Sequence, residues 1–228
     1  CKDTPGFIAN RIGTFWLMRA LNEAIAQKTS IEVVDAIMSK PIGVPKTGVF
    51  GLMDLIGIDL LPLIAKSFAA NLSKEDEFNK IYNLPAVVTK MIADGYTGRK
   101  GKGGFYRLNP DIKDKKKAKE SVNLSTGEYK KSDKPKIASA EAGRGGLQEI
   151  FAIQDEGSKF LWPVLRDVLV YTANLVGEIA ENIADIDEAM RLGYNWKYGP
   201  FQLIDRFAEN GKSGAFVFAE KLKVEGIK

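Results

Sequence analysis

Apolar residues recur at three- and four-residue steps through most of this chain, the periodicity of helices buried along one face. The opening run is the strongest. Phe7, Ile8, Ile12, Phe15, Trp16, Leu21 and Ile25 predict a helix over roughly residues 7–28. Before it stands Asp3-Thr4-Pro5-Gly6. Pro5 suits a first helical turn, where its missing N–H is not needed, and Asp3 or Thr4 can cap the free amides. Asn10 and Arg11 interrupt the apolar series among positions meant for burial. A buried amide needs hydrogen-bond partners, so on chemistry alone Asn10 reads as a structural amide bonded to neighbouring backbone.

The same periodicity marks further helices. Thr29-Ser30-Ile31-Glu32 is a capping-box-like start with Ser30 as the cap. The short helix through Val33, Val34, Ile37 and Met38 should end near Lys40-Pro41, because proline disfavours helix before it. Residues 43–48 read as loop, then 50–57 and 58–72 as two helices divided by Gly57, with Pro62 in the first turn of the second. A helix over 85–93 should close at Asp94-Gly95. The pattern changes at 121–129, where alternation and the Gly127 turn predict a small β-hairpin. Residues 138–146 read as a small-residue connector. One long helix is then predicted over 160–183, with Trp162, Leu165, Leu169, Ala173 and Val176 on its inner side. A short helix from Asp185 should stop at Gly193, before a helix entered through Gly199-Pro200-Phe201.

Two stretches repeat. Val34-Asp35-Ala36-Ile37-Met38 matches Ile186-Asp187-Glu188-Ala189-Met190 at an offset of 152 residues. Gly48-Val49-Phe50-Gly51-Leu52-Met53-Asp54 matches Gly199-Pro200-Phe201-Gln202-Leu203-Ile204-Asp205 at 151. Each copy is a long helix, a short helix, a Gly-containing loop and a helix entered through Gly-x-Phe, which points to duplicated helical domains. The expected fold is all-α, tandem duplicated helical bundles with a small β-hairpin insert. Domain boundaries are expected at 1–107, 108–146 and 147–228. The second copy has no Asn-Arg pair, so one copy is expected to work and the other to pack.

Composition narrows the class. The 45% hydrophobic and 27% charged residues are ordinary for a soluble globular protein. The single cysteine, Cys1, excludes an internal disulfide and fits a reducing, cytoplasmic setting. No apolar run approaches a membrane span, no signal peptide is recognisable, and no metal site is expected. The chain begins without Met and inside a motif, and is expected to be part of a longer protein. Residues 99–136 carry 13 Lys/Arg against 5 Asp/Glu, in a chain of net charge +4, so the remainder is net acidic. The run Lys113-Asp114-Lys115-Lys116-Lys117 invites a nucleic-acid reading, but no aromatic ladder accompanies it, and a solvated run is expected instead. Residues 98–106, Gly-Arg-Lys-Gly-Lys-Gly-Gly-Phe-Tyr, offer glycines and cations for an anion. They lack the Lys-Ser/Thr ending of a true P-loop, so a basic turn is the plainer reading.

Taken together, these strings are similar to one family. PGFIANR resembles the P-G-F-x-x-N-R segment that opens the C-terminal domain of NAD-dependent 3-hydroxyacyl-CoA dehydrogenases. The resemblance implies that Asn10 is an active-site residue, near the substrate's thioester region and the catalytic His. Residues 98–106 resemble that family's G-x-K-T/S-G-x-G-F-Y segment, which implies that Lys100 reaches toward the bound dinucleotide, although Gly101 stands where Thr or Ser is usual. DIDEAMRLGYNWKYGPFQLID is similar to a third block of the same domain. The resemblance implies a 6-phosphogluconate dehydrogenase C-terminal-like helical fold, NAD as cofactor, an acyl-CoA substrate and a homo-oligomer. Multifunctional fatty-acid oxidation proteins join such tandem domains to an enoyl-CoA hydratase domain, and the insert with its STGEY turn looks like their bacterial members.

One count limits what this chain does alone. It contains no histidine, whereas the resembled enzymes use a His–Glu pair, the His removing the hydroxyl proton as hydride leaves. It also lacks a G-x-G-x-x-G strand–turn–helix site. Base and cofactor fold are therefore expected from an upstream dinucleotide-binding domain, and this chain by itself is expected to be inert. The alternative reading is a non-catalytic helical interaction module that kept the fold.

Overall fold

The helix predicted at the start of the chain is the centre of the molecule. In the computed structural model, which describes residues 1–114, 117–143 and 146–227, α1 runs from Ala9 to Ala26 and buries eleven of its residues. A helix apolar on nearly every side must be surrounded. Here α9 (Glu156–Asn174) packs along it, flanked by α2 (Ile31–Ile37), α10 (Ile183–Gly193) and α5 (Glu77–Ile81). One contiguous set of buried side chains extends from Ile8 to Phe218, so both copies share a core.

The start of α1 differs from the sequence reading. Pro5 is not in its first turn, and neither Asp3 nor Thr4 caps it; the N-cap is Ile8, without a side-chain bond. The cause is a tight turn. Gly6 (φ 80°) and Phe7 (φ 51°) both adopt left-handed backbone, which ends any helical path from Pro5. Gly6 is required there, because a Cβ would also meet the Phe68 ring.

Ser30 caps α2 as expected, accepting from the Val33 amide at 3.4 Å. The pair α3 (Phe50–Ile56) and α4 (Leu60–Asn71) is divided at Gly57 (φ 103°), and α6 (Ala86–Ala93) stops before Gly95 (φ 84°). The hairpin exists as β2 (Lys119–Val122) and β3 (Tyr129–Lys131), antiparallel with Val122 opposite Tyr129. Its insert is more ordered than local alternation suggested. A further strand, β1 (Tyr106–Leu108), pairs with β2 and completes a three-stranded sheet. Buried Glu32 on α2 fastens that sheet, accepting from the Ser121 hydroxyl at 2.5 Å and the Asp133 amide at 3.2 Å. Two members of the lysine run, Lys115 and Lys116, lie outside the described residues.

Three corrections fall in the second half. The small-residue connector is partly helix: α7 (Ala138–Ala142) precedes α8 (Leu147–Ala152), and Arg144 and Gly145 between them lie outside the described residues. Asp155 explains the order. Its carboxylate accepts from the Ser139 amide (2.9 Å) and hydroxyl (2.6 Å) and from the Ser158 amide (3.0 Å), capping α9 while holding α7. The long helix ends at Asn174 rather than near 183, and Ala173 and Val176 are exposed, because the chain turns at Gly177 (φ 86°). Finally, α10 begins at Ile183, where Asn182 accepts from the Asp185 amide at 2.9 Å. After it come α11 (Pro200–Asp205) and α12 (Gly214–Val224).

The repeat survives in atomic detail. Asp35 on α2 accepts from the amides of Val49 (2.8 Å), Phe50 (2.8 Å) and Gly51 (3.1 Å), capping α3 across space. Asp187 on α10 accepts from Phe201 (2.8 Å) and Gln202 (3.1 Å), doing the same for α11.

Candidate functional site

Asn10 sits in the first turn of α1 and is exposed, not buried. Its side-chain amide makes no hydrogen bond to a described residue, so the structural-amide reading fails here. The left-handed turn at Gly6-Phe7 is the reason: it starts the helix late and leaves Asn10 on the outer side of the first turn. Phe7 beside it is 54% exposed.

Arg11, the next residue, is fully buried. Its guanidinium pairs with Asp76, donates Nε–H to the Tyr171 hydroxyl and reaches Glu178 at 3.2 Å. Asp76 at the same time caps α5 by accepting from the Phe78 amide at 2.8 Å. Burial pushes the Tyr171 phenol up, so the hydroxyl keeps its proton and donates it to Asp76 at 3.1 Å.

Lys100 lies on the loop between α6 and β1. That loop is built around Asp54 of α3. The Asp54 carboxylate accepts from the amides of Phe105 (2.7 Å) and Tyr106 (2.8 Å), and its carbonyl from Arg99 (2.8 Å). Gly98 (φ 103°) admits this approach, since a Cβ would strike the Asp54 carbonyl. Gly98 and Gly103 then bridge to close the turn, with Gly98 N donating to Gly103 O at 2.8 Å. A side chain at Gly101 would strike the Thr97 hydroxyl and the Gly95 carbonyl, so glycine there belongs to this loop's geometry. Lys100 itself is half exposed, with its ammonium 3.0 Å from Asp59, which is also part exposed. Such a pair is weakly held. Together with Arg99 and Lys102, both exposed, Lys100 makes this turn a cationic surface suited to phosphate.

The two predicted site residues do not touch. Gly6 packs on Phe68 in the second half of α4, whereas Asp59, the partner of Lys100, immediately precedes it. Their separation of nine residue steps corresponds to about 13 Å of helix. Leu60 and Leu63 of α4 are exposed, Leu63 at 62%. An open pocket of roughly 470 Å³ adjoins the loop, lined by Asp35, Lys46, Thr47, Asp54, Arg99 and Tyr106 among others. Burial raises both aspartates, Asp35 to about 7 and Asp54 to about 6, against the amide bonds that favour their ions.

Sequence reasoning missed Asp54 as the holder of the loop, Asp59 as the partner of Lys100, and the Asp76–Tyr171 pair around Arg11. Asp54 occurs in the repeat as the match of Asp205, but the pattern did not separate their tasks. Asp76 and Tyr171 carry no sequence signal, since their partner is distant in the chain.

The fold and these groups define a helical domain in two copies, of which the first presents an exposed amide and a cationic glycine turn. Residues 6–108 and 163–225 match the model for the 3-hydroxyacyl-CoA dehydrogenase, C-terminal domain. The chain belongs to this family. A Rickettsia prowazekii protein described as a fatty acid oxidation complex trifunctional enzyme is 41% identical over 211 residues, covering 92% of this chain and 28% of that protein. A Bacillus subtilis protein described as a 3-hydroxyacyl-CoA dehydrogenase is 32% identical, covering 90% of this chain and 26% of its own length. The chain thus spans less than a third of these curated relatives. The crystal structure of 3-hydroxybutyryl-CoA dehydrogenase from Escherichia coli superposes with a TM-score of 0.58 over 99% of this chain and 61% of that one, at 21% identity, a likeness of fold.

Proposed function

We propose that this chain is the substrate-side helical part of an NAD-dependent (3S)-3-hydroxyacyl-CoA dehydrogenase of fatty-acid β-oxidation. The reaction is 3-hydroxyacyl-CoA plus NAD giving 3-oxoacyl-CoA plus NADH. The single observation that carries this reading is Asn10. It is an exposed amide without a partner among the described residues, fixed to the central helix α1. Such a group costs little in stability and is free to accept or donate to something outside the chain.

In this reading Asn10 orients the acyl group and helps hold a base carried by an upstream dinucleotide-binding domain. This chain has no histidine to serve as that base. NAD supplies the hydride acceptor when bound, and Lys100 contacts its phosphate side. The cationic turn around Lys100 fits that group, being half exposed and paired with the part-exposed Asp59. The apolar face of Phe7, Leu60 and Leu63 suits packing against the upstream domain. The boundaries 1–107, 108–146 and 147–228 serve as the working division, and a hydratase domain in the same polypeptide and a homo-oligomer belong to the same reading.

The test is Asn10→Ala in the full-length protein. Turnover should fall roughly 10²-fold or more, the scale of losing a positioned catalytic hydrogen bond. Melting temperature should stay put, because no partner inside the chain is orphaned. A fully active Asn10→Ala protein removes the assignment.

A further inference from the structure

The second copy does more than pack. We infer that it positions Asn10, through a clasp in which Tyr171 is the positioning residue; this rests on the function proposed above.

The clasp begins at the chain start. The Lys2 amide donates to the Ile179 carbonyl at 3.0 Å, and the Lys2 ammonium bonds the Gly177 carbonyl and lies 2.7 Å from Glu181. The turn at 177–181 therefore grips the segment leading into the Gly6-Phe7 turn. One residue past Asn10, Arg11 is held by three groups, two of which belong to the second copy: Tyr171 on α9 and Glu178 on the same turn. The Tyr171 ring also stacks on Phe15, one turn further along α1, at 3.9 Å and 10°. On another side, Gly193 of α10 closes on Ala9, which precedes Asn10; a Cβ at Gly193 would come within 2.8 Å of the Ala9 methyl. Thus Ala9 and Arg11, the residues on either side of Asn10, both contact the second copy.

This arrangement has chemical consequences. Asn10 has no partner among the described residues to fix it, so the orientation of its amide is inherited from the first turn of α1. That turn has no side-chain cap. What fixes it is the buried guanidinium below, and a guanidinium fork transmits orientation because its donors are planar and rigid. Tyr171 is placed to set that fork, accepting from Nε and donating to Asp76, the carboxylate on the other arm. Small misplacement of a reacting group lowers turnover even from a distance.

The experiment is a double-mutant cycle in the full-length protein, with 3-hydroxyacyl-CoA oxidation and melting temperature as readouts. Tyr171→Phe removes one hydroxyl and keeps the ring. Alone it should lower kcat about tenfold, with KM for NAD unchanged. In the Asn10→Ala background it should lower kcat by less than about twofold, because its effect passes through Asn10. Glu178→Gln is the companion variant, at a side chain 53% exposed where folding is not at stake. It should show the same dependence on Asn10 with a smaller loss. A loss of kcat by the same factor in both backgrounds means a general structural role and overturns the proposal. So does an unchanged kcat in Tyr171→Phe when Asn10→Ala is costly. A silent Asn10→Ala overturns instead the function proposed for Asn10, and this clasp's role with it, a pattern distinct from the other two.

Discussion

The two copies of the helical unit spend the same residues differently. In each, an aspartate on the short helix reaches across and caps the next helix, Asp35 over Phe50 and Asp187 over Phe201. Each copy then has a second aspartate, at the end of that capped helix. Asp54 is buried and accepts two amides of the glycine turn; Asp205 is exposed, and among the described residues its carboxylate accepts no amide. The shared aspartate belongs to the architecture, since any copy of the unit needs its helix capped. The second aspartate differs in its task, since in the first copy it holds the loop that carries Lys100.

The sharpest way to break this contrast is to remove both second aspartates in turn. Asp54→Ala leaves the Phe105 and Tyr106 amides without an acceptor, at a cost of about 3 kcal/mol. Asp205→Ala should stay within about 0.5 kcal/mol, as exposed substitutions do. Chemical denaturation of the two variants measures both. Equal costs would mean that Asp54 is not what holds the turn.

Acidity acts on the other pair. Burial raises Asp35 to about 7 and pushes Asp187 in the same direction. The folded chain therefore binds these protons more tightly than the unfolded chain, where aspartate titrates near ~3.9. The stability they contribute is full below about pH 4 and is lost as pH rises through about 7 for Asp35. The expected slope is on the order of 1 kcal/mol per pH unit between those limits. Denaturation from pH 4 to 8 should show stability falling in that window, with Asp35→Asn flattening the fall. A stability that rises over the window would mean that the amide bonds outweigh burial.

How far the sequence reached follows the range of the interaction. Ser30, Gly57 and the 121–129 hairpin were legible because cap, turn and partner lie within a few residues. The repeat was legible as paired strings, and its two capping aspartates stand at matched positions. What was not legible depends on distant chain. The burial of Arg11 requires Tyr171, 160 residues away. The exposure of Asn10 follows from left-handed backbone at Phe7, a conformation no non-glycine residue announces. The helix at 138–142 is held by Asp155, beyond the apparent connector.

The smallest effect concerns the cation of the glycine turn. Lys100 is half exposed and its partner Asp59 part exposed, so its removal should leave melting unchanged within about a degree. If it contacts NAD phosphate as proposed, Lys100→Ala in the full-length protein should raise KM for NAD about fivefold, the equivalent of roughly 1 kcal/mol. Turnover at saturating NAD should hold, because the contact is made equally before and during reaction. Lys212 is the matched control: it follows α11 in the second copy, is exposed, and lies 5.1 Å over the Phe216 ring. Lys212→Ala should leave KM for NAD alone. The Lys100 effect should also shrink with added salt, as screening removes an exposed charge contact. Should both lysines raise KM alike, the cofactor would be sensing net charge rather than the glycine turn. The first copy's claim to the cofactor would then fall, while the Asn10 assignment, which rests on a neutral amide of α1, would stand or fall on turnover alone.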